Sequence, residues 1–532
     1  MNFPKHQLRF KTWTILLILI EIGLVACTEK ISEFKVTVTA SPVEGGSTEP
    51  AGGVYNEGTN LTITAIPTPG WNFVNWTGDK ESDENPLSVE VTQDFNLTAN
   101  FIQPPAINRV KINTEGNTIV NEPKVGAKLE HYFGNDLVKS TPIGIEYRGK
   151  YSYIVNPQKS YGLEIWDAAQ KETTTEMFGM PIGEDWILYA PYNDRTFMNN
   201  YLIYRLSNEV KRYAVRTDWT ELEINGDYLG VYVFMEKVDR SAPRLNLTKL
   251  GSSDLSGTNV TGGYIFKIDK TDGETWADHS NYTAAVSWRS PYDTKGVLLS
   301  YAPYGGKNSE ETYYVYEYPK ATSIKSQQKD YIAKYMVDFE QSLLKDDFSS
   351  NTRTYTDYID IASFVDHFLL NELTANPDAY RLSTFLYKDR SSKVFIGPVW
   401  DFDFAFGNEG RSQTNQWIYE YNKNYPNDLW LINFWWPRLM QDPQFKAALK
   451  TRWNEMKVQA INTQNINKII DEQSDYLIKA GAVARHFKRW PDLFPESKTE
   501  SAYVASYRNQ ISIKKNWIKD RIQWMDSQIS KF

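Results

Sequence analysis

The sequence predicts an α+β protein in which a small all-β domain precedes a larger mixed domain with a helical C-terminal third. Residues 34–102 contain short runs of alternating apolar and polar side chains between glycine-rich turns, a pattern typical of β-strands. In the C-terminal third, Trp517 and Trp524 recur at the spacing of a helix face that packs on a core. The 532 residues are also too many for one ordinary core, so we expect two or three domains.

The composition excludes several classes of protein. With 41% hydrophobic and 23% charged residues, the chain has the composition of a folded globular protein and not of a disordered one. The formal net charge is −8, from 58 basic and 66 acidic residues, so no overall positive field is available and we expect no nucleic-acid partner. Because Cys27 is the only cysteine, a disulfide framework and a cysteine zinc site are excluded.

Residues 1–26 are predicted to be a lipoprotein signal peptide. A basic segment precedes the apolar run 15–20, which Glu21 interrupts, and the run is shorter than the ~20 residues that span a bilayer. Positions 24–27 read LVAC, which resembles a bacterial lipobox, whose cysteine is lipidated and becomes the mature N-terminus. We therefore predict lipidation of Cys27, a tether over 27–33, and an exported protein anchored to the outer membrane or cell surface through this lipid only. A signal peptide with an incidental cysteine is the alternative.

Residues 34–102 are predicted to form the all-β domain. The alternating runs lie at 34–38, 61–65 and 97–101. The surrounding blocks NEGT, GWNF and WTG resemble a divergent internalin-type B-repeat, a spacer of surface proteins. We expect Trp71 and Trp76 to belong to the core of this domain; stacking on sugars, and hence a glycan partner, is the alternative. A Pro-Pro pair at 104–105 marks the domain boundary.

Three common types of active site find no support in the large domain. The five histidines lie far apart, and none has the spacing of a zinc hydrolase. No serine occupies the Gly-x-Ser-x-Gly elbow of an α/β-hydrolase. Residues 144–150 match the spacing of a phosphate-binding P-loop, but Tyr151 replaces the required Ser or Thr and the segment alternates as a strand.

The same segment offers a different kind of anion site. Arg148 and Lys159 are placed on successive strand-like runs, 145–153 and 160–165, which predict a β-hairpin. Such a hairpin can direct two cations at one anion. Ordinary solvated charges on the hairpin are the alternative.

A helix that ends in a proline turn presents the first candidate catalytic group. Apolar residues recur at helical spacing over 361–369, with Asp357 or Asp360 as the cap, and they predict a core-facing helix to about Thr374. An Asn-Pro-Asp turn then ends the helix, because the residue before a proline is forced out of helical geometry. We therefore expect Asp378 on a loop at the end of this helix.

A second pair of strand-like runs brings two further acids back to this loop. The runs 384–387 and 394–396 predict a hairpin that leads to Asp401 and Asp403. In extended backbone, residues two apart share a face, so both carboxylates can point the same way while Phe402 enters the core. Adjacent carboxylates repel each other unless a cation or a proton lies between them, and their hard oxygens suit Mg²⁺ or Mn²⁺.

A loop aspartate next to a metal-holding aspartate is the layout of a phosphotransferase site. In such a site, one aspartate orients the acceptor hydroxyl and the other chelates the metal that bridges the nucleotide phosphates. The alternative is that Asp378 is a turn residue and that Asp401 or Asp403 is a capping acid.

Over roughly residues 107–530, the large domain resembles the CotH kinase family, a family of atypical protein kinases. No single motif is decisive, but five blocks occur in order. These blocks are RG at 148–149 with KSYGLE at 159–164, DWILYAPYNDRT at 185–196, NGDYLGVY at 225–232 leading to EK at 236–237, GGYIFKID at 262–269, and WDFDFAFG at 400–407.

The resemblance implies a distorted protein-kinase-like fold that binds ATP with Mg²⁺ or Mn²⁺ and phosphorylates Ser or Thr of an acceptor protein. It implies that Asp378 is the catalytic aspartate and that Asp401 binds the metal, while the spacing argument adds Asp403 as a second metal ligand. The residues that it implies near the phosphates are Arg148, Lys159 and Glu236.

Two positions depart from the family pattern. Lys150 and Tyr151 follow Arg-Gly where the family usually has small polar residues, and Ser383 stands where kinase catalytic loops carry a metal-binding Asn. A serine hydroxyl is a poorer magnesium ligand. Two other functions therefore stay open: a binding or scaffolding lipoprotein, glycan-associated, with a pseudokinase domain, and a glycan hydrolase, whose paired acids would lie roughly 5 to 9 Å apart.

Overall fold

The computed structural model describes residues 32–149, 152–271, 282–305 and 309–532. The predicted signal peptide, Cys27 and most of the predicted tether lie outside these residues, as do Lys150 and Tyr151. The described chain divides into two compact units. The first unit comprises the residues up to 68 and 75–101, and the second comprises 69–74 and the residues from 102 onward.

The N-terminal region is all-β, as the sequence predicts. Its seven strands are β1 (Glu33–Ser41), β2 (Gly46–Glu49), β3 (Gly52–Asn56), β4 (Asn60–Pro67), β5 (Asn72–Gly78), β6 (Leu87–Glu90) and β7 (Phe95–Ile102). They form a four-stranded sheet of order β3-β1-β7-β5 and a three-stranded sheet of order β2-β4-β6. The three predicted runs lie within β1, β4 and β7, and their apolar residues Val36, Ile63 and Leu97 are buried.

Trp76 belongs to the core of this region, as the sequence predicts. Its side chain is fully buried, and its indole N–H donates to the carbonyl oxygen of Glu84 at 3.0 Å. Trp71 is only partly buried. Because the ring of Trp76 is covered and its polar N–H is satisfied internally, this ring stabilises the domain and presents no face for stacking on a sugar.

A closed β-barrel forms the first part of the larger unit. Its chain order is β8 (Asn108–Asn113), β9 (Val125–Phe133), β10 (Asp136–Arg148), β11 (Ser160–Ile165), an inserted pair β12 (Thr175–Met177) and β13 (Met180–Gly183), β14 (Asp185–Tyr189), β15 (Thr217–Ile224) and β16 (Asp227–Glu236). Around the barrel the order is β10-β11-β14-β16-β15-β8-β9. Apolar side chains from these strands, including Val110, Leu163, Leu188 and Phe234, are buried together as one core.

The predicted strand run 145–153 ends earlier than expected. Strand β10 stops at Arg148, and residues Ser152–Val155 form a short helix, α1. Between them, Gly149 has a φ of +106°, where a Cβ would lie 2.3 Å from the Ser152 hydroxyl, so glycine lets the chain leave the sheet. The predicted hairpin of β10 and β11 is confirmed, with Arg148 paired opposite Ser160.

A five-stranded sheet follows the barrel, with the order β18-β19-β17-β20-β21. Its strands are β17 (Tyr264–Ile268), β18 (Ser287–Asp293), β19 (Glu311–Tyr318), β20 (Thr384–Lys388) and β21 (Val394–Ile396). Strands β20 and β21 form the predicted hairpin, with Leu386 opposite Ile396. Strand β20 also pairs with β17, and Ile268 lies opposite Thr384. The residues that follow β17 and precede β20 are therefore brought side by side.

The described residues form ten α-helices, most of them in the C-terminal third. They are α1, α2 (Met198–Glu209), α3 (Ser326–Leu344), α4 (Ile361–Thr374), α5 (Tyr421–Asn424), α6 (Trp435–Leu439), α7 (Pro443–Gln459), α8 (Thr463–Lys479), α9 (Ala482–Arg489) and α10 (Glu500–Ile529). Asp360 caps α4, because its carboxylate accepts the N–H of Ser363 at 2.7 Å. None of the helices within the described ranges has the length and apolar character that crossing a membrane requires.

One buried ion pair joins the final helix to helix α4. Arg521 and Glu372 are both fully buried, and Nη2 lies 3.2 Å from Oε2. The same guanidinium donates to the carbonyl oxygen of Thr414, and Glu372 accepts the backbone N–H of Ile418. Burial raises the pKa of Glu372 to about 7, although the charge of Arg521 opposes the rise. The pair therefore fixes the long loop that follows residue 407 against the helices.

Replacing Arg521 with Met should lower the free energy of unfolding by about 3–5 kcal/mol, because Glu372 would remain buried without its cation. Urea unfolding followed by tryptophan fluorescence measures the change. Lys519→Met, on the exposed side of the same helix, is the control and should change the free energy by less than about 0.5 kcal/mol. The double variant Arg521→Met/Glu372→Gln should recover part of the loss, and an undiminished loss there would contradict the ion-pair explanation.

Candidate active site

The loop after helix α4 presents Asp378, as the sequence predicts. Ala375 ends the helix with a left-handed φ of +44°, and the proline that follows Asn376 prevents its continuation. The side chain of Asn376 accepts the backbone N–H of Asp378 at 3.1 Å and donates to the carbonyl oxygen of Asp401 at 3.2 Å. One asparagine therefore connects the two predicted acidic segments.

Arg381 orients the carboxylate of Asp378. Its Nη2 lies 2.7 Å from Oδ1 of Asp378, and its other donors reach the carbonyl oxygens of Pro377 and Trp430 and the carboxylate of Asp428. The Arg381 side chain is only 2% exposed, so these contacts are shielded from water. Among the described residues, Oδ2 of Asp378 has no hydrogen-bond partner.

Asp401 lies in a left-handed turn and not in the extended strand that the sequence predicts. Its φ is +66°, a region that costs an L-residue roughly 1–2 kcal/mol. The backbone N–H of Asp401 donates to the hydroxyl of Tyr204 at 3.1 Å, and its carboxylate accepts the hydroxyl of Ser383 at 3.1 Å. Residues 400–403 pair with no strand in the described part of the chain, so the alternation of side chains along a strand does not apply to them. These polar contacts hold the turn instead.

Phe402 still enters the core between the two aspartates, as expected. Its ring is fully buried and packs edge-on against Tyr204, with the ring centroids 6.5 Å apart. Asp403 follows, and its Oδ2 accepts a hydrogen bond from the side-chain amide of Asn193 at 3.4 Å. Asp401 and Asp403 are both partly accessible to solvent. The buried ring of Phe402 thus anchors a short segment, and the two aspartates that flank it remain partly exposed to solvent.

The three predicted aspartates interact electrostatically. The pKa of Asp401 is raised to about 6, mainly by burial and then by the negative charges of Asp378 and Asp269. Burial also raises the pKa of Asp403 well above its usual value, and the charges of Asp401 and Asp378 add to the rise. Carboxylates with these mutual effects favour a shared proton or a bound cation. Asp269, which follows β17, is a fourth acid of this group that the sequence did not single out.

The carboxylates form an open arrangement and not a closed cage. A closed cage needs at least three acid, histidine or cysteine side chains whose ligand atoms lie close together. In the described residues, Glu164, Glu172 and Glu184 place three such atoms within 4.8 Å of one another. Asp378, Asp401 and Asp403 do not meet this limit. Mg²⁺ is usually held by one or two protein carboxylates and keeps several waters. The pair Asp401 and Asp403 fits an ion of this kind better than a fully protein-coordinated one.

Arg148 lies beside the acidic segment. Its guanidinium stands over the ring of Trp400, 5.9 Å from the ring centroid. Burial raises the pKa of the Tyr204 hydroxyl, the group that accepts the N–H of Asp401, and the positive charge of Arg148 opposes this rise. Lys159 immediately precedes β11, the strand that pairs with β10. Its carbonyl oxygen accepts a hydrogen bond from the hydroxyl of Tyr232 at 2.9 Å. The hairpin therefore brings Arg148 to the site, with Lys159 at the start of the adjacent strand.

Glu236 has partners within the barrel. Its fully buried carboxylate lies 2.6 Å from Arg216 and 3.5 Å from Arg244, and it accepts the hydroxyl of Tyr213 at 3.2 Å. In the described part of the chain, no hydrogen bond or ion pair joins Glu236 to the two predicted basic residues or to the three aspartates. The structure therefore places Glu236 in an internal ion-pair network, separate from the contacts of the acidic segment.

A set of asparagines supports the acidic segment, and the sequence argument missed it. These residues are Asn193, Asn199, Asn200 and Asn408. The sequence gives only a weak indication of this role. Asparagine has a low helix propensity, yet Asn199 and Asn200 both lie in the first turn of α2. Asp194 has a structural role, because its carboxylate accepts the backbone N–H groups of Thr196 and Asn199 at the start of this helix.

Strained backbone also concentrates around the site. The non-glycine residues with positive φ between positions 375 and 406, apart from the hairpin residue Ser391, are Ala375, Tyr380, Ser383, Asp401 and Phe406. Such conformations cost free energy and persist where the surrounding structure imposes them, which is frequent at functional sites. Two of the five, Ser383 and Asp401, are hydrogen-bonded to each other.

Comparison with known protein families gives two matches. A family model described as CotH kinase protein matches residues 145–525. A second model, described as divergent InlB B-repeat domain, matches residues 36–104. Both agree with the resemblances drawn from the sequence. A search of curated proteins finds no match.

Asp401→Asn should stabilise the metal-free protein at neutral pH. Since the folded state raises the pKa of Asp401 from 3.8 to about 6, its contribution to stability is fully present below about pH 4 and is lost as the pH rises through 6. The variant should therefore match the wild type near pH 4 and exceed it by about 2 kcal/mol at pH 8. Urea unfolding in EDTA between pH 4 and 8 measures this difference.

The matched control is Asp475→Asn, an exposed acid of helix α8. The free energy of unfolding of this variant should differ little from that of the wild type across the same pH range. A gain for Asp401→Asn that does not change with pH would contradict the assignment of this titration to Asp401.

Proposed function

This chain belongs to the CotH kinase family, and from that premise we propose that it transfers the γ-phosphate of ATP, bound with Mg²⁺ or Mn²⁺, to Ser or Thr of an acceptor protein. The observation that carries the proposal is that Asn376 joins the loop of Asp378 to the backbone of Asp401, two residues before Asp403, with the guanidinium of Arg148 over the adjacent Trp400 ring. This grouping provides a candidate proton acceptor, a cation site and a phosphate-binding charge in one place.

Asp378 is the proposed catalytic aspartate. As the acceptor hydroxyl oxygen bonds to the γ-phosphorus, the bond from that phosphorus to the bridging oxygen breaks and ADP leaves with the electron pair. The hydroxyl proton passes to Oδ2 of Asp378. Because Arg381 holds Oδ1, it fixes the direction of Oδ2.

Asp401 and Asp403 are the proposed metal ligands. A bound Mg²⁺ would supply positive charge against the phosphate oxygens. The hydroxyl of Ser383 donates to Asp401 and orients it, but it is itself a poor ligand, so we propose one metal ion and not two. Arg148 and Lys159 are the proposed phosphate contacts.

Glu236 is proposed to support the phosphate-binding hairpin without contacting the nucleotide itself. It already has two arginine partners in the barrel, so its contribution would be to hold the barrel end that carries the hairpin.

The proposed location is the exported face of a membrane, reached through a lipid on Cys27. Residues 36–104 are a divergent InlB B-repeat domain, which is consistent with an exported surface protein. The lipid itself rests on the lipobox-like sequence at 24–27.

Labelled palmitate should be incorporated into the wild-type protein expressed in a bacterium and should be absent from Cys27→Ser. Because Cys27 is the only cysteine, thioester labelling elsewhere is excluded. Equal labelling of the two proteins would contradict the lipoprotein proposal.

ATP and Mg²⁺ together should raise the melting temperature by about 2–4 °C, and neither alone should do so fully. Asp401→Ala should lose this shift, because the ligand of the cation is removed, while Asp475→Ala should keep it. Asp378→Ala should keep the shift but reduce phosphate transfer to a generic Ser/Thr acceptor by about 100-fold or more. Differential scanning fluorimetry and transfer from radiolabelled ATP measure the two effects.

The second candidate function, a binding or scaffolding lipoprotein with a pseudokinase domain, is favoured by Ser383, which occupies the place of a metal-binding asparagine. The same experiment separates the two. A melting shift without transfer would establish the pseudokinase, and no shift at millimolar ATP would contradict nucleotide binding altogether.

A further inference from the structure

The backbone of the acidic loop, defined here as residues 401–408, is held by an amide from helix α2. Nδ2 of Asn199 donates to the carbonyl oxygens of Asp403 at 3.1 Å and Ala405 at 3.0 Å. Asn199 is 1% exposed, so these bonds are made away from water. The amide therefore sets the position of the backbone from which the Asp403 carboxylate projects.

Further amides complete this support. Oδ1 of Asn200 accepts the backbone N–H of Phe402 at 2.8 Å. Nδ2 of Asn408 donates to the carbonyl oxygen of Asp403 at 2.6 Å and to that of Asn193 at 2.7 Å. Neutral amide groups thus fix the backbone around Asp403, and they do not neutralise its carboxylate.

Asn199 is in turn held by Lys514, which lies 315 residues further along the chain on helix α10. The ammonium donates to Oδ1 of Asn199, and it lies 3.6 Å from Oδ1 of Asp194 and 5.3 Å from the ring centroid of Phe406. The side chains of Lys514 and Asp194 are only 5% and 2% exposed. Water therefore competes little for these contacts.

The lysine determines which way the amide of Asn199 faces. A lysine ammonium can only donate, so it must meet the amide oxygen, and the NH₂ group then faces the two carbonyl oxygens of the loop. Its charge also polarises the amide and strengthens the two N–H donors. Without the ammonium, the amide would be free to turn its oxygen toward those carbonyl groups.

Lys514 forms an ion pair with Asp194 at the start of helix α2, and this pair has a structural role of its own. Asp194 already accepts the backbone N–H of Thr196 at 2.9 Å, the hydroxyl of Thr196 at 2.5 Å and the backbone N–H of Asn199 at 2.7 Å. Burying an additional charge carries a desolvation penalty of several kcal/mol. Besides its ion pair with Asp194, Lys514 contacts Asn199, and through Asn199 it reaches the acidic loop.

We propose that Lys514 and Asn199 are positioning residues that set the metal preference of Asp401 and Asp403. The inference rests on the proposed function, since it requires these aspartates to hold a divalent cation. Mg²⁺ demands near-octahedral geometry at about 2.0–2.1 Å, whereas Ca²⁺ accepts flexible geometry at about 2.3–2.6 Å. A loop that is held rigidly favours Mg²⁺, and a loosened loop loses more affinity for Mg²⁺ than for Ca²⁺.

The test is the ratio of Mg²⁺ affinity to Ca²⁺ affinity, measured by isothermal titration calorimetry on the full chain. Binding that persists in Asp401→Ala, for example at Glu164, Glu172 and Glu184, is subtracted. Lys514→Met and Asn199→Ala should each weaken Mg²⁺ binding by about 10- to 100-fold, the usual effect of losing an outer-shell partner, and Ca²⁺ binding by less. The ratio should therefore fall at least about fivefold.

A destabilised protein with an intact loop provides the control. Arg452 ties helix α7 to Asp366 of α4 and to the carbonyl oxygen of Val210, and it makes no hydrogen bond to residues 401–408. Arg452→Met should lower the melting temperature while the affinity ratio stays at the wild-type value. A merely structural role for Lys514 would give the same result as this control.

The outcomes separate this inference from the proposed function. If Lys514→Met does not fold, Asn199→Ala decides, because alanine is well tolerated in the first turn of a helix. Folded variants with the wild-type ratio would overturn the positioning role and leave the proposed metal site intact. A wild-type chain that binds neither cation above the Asp401→Ala background would overturn both.

Discussion

The repulsion among carboxylates gathered in a partly buried site is the constraint on which the rest of the structure depends. The charge of Asp401 helps to raise the pKa of Asp403, and the charge of Asp378 helps to raise the pKa of both. Their direct hydrogen-bond partners include the hydroxyl of Ser383 and an asparagine amide, which orient the acids without neutralising them. The fold therefore has to hold the acids in place by rigid packing.

The rigid frame comes from elements that are distant in the chain. The barrel supplies the β10–β11 hairpin, whose first strand ends at Arg148. Helix α2 supplies the side-chain amides of Asn199 and Asn200, and the final helix supplies two buried cations, Lys514 and Arg521. The five-stranded sheet brings the start of β20 next to the end of β17. Each element contributes little to the site alone, so the site is a property of the assembled domain.

Much of this fold follows from local sequence. Helix α4 with its cap at Asp360, the β20–β21 hairpin and the buried Trp76 are set by periodicity, caps and turns, which act over a few residues. The left-handed turn at Asp401 and the arginine partners of Glu236 depend on contacts across the chain, and periodicity carries no information about them. The family resemblance places the acids in the right order but does not say which side chains hold them.

The place of Lys514 near the end of the chain has a consequence for synthesis and export. A ribosome makes the acidic loop more than a hundred residues before it makes the lysine that holds Asn199 in register. Domains complete their packing only when all their segments are available. For an exported chain that is threaded across the membrane in an unfolded state, the loop can be completed only on the far side.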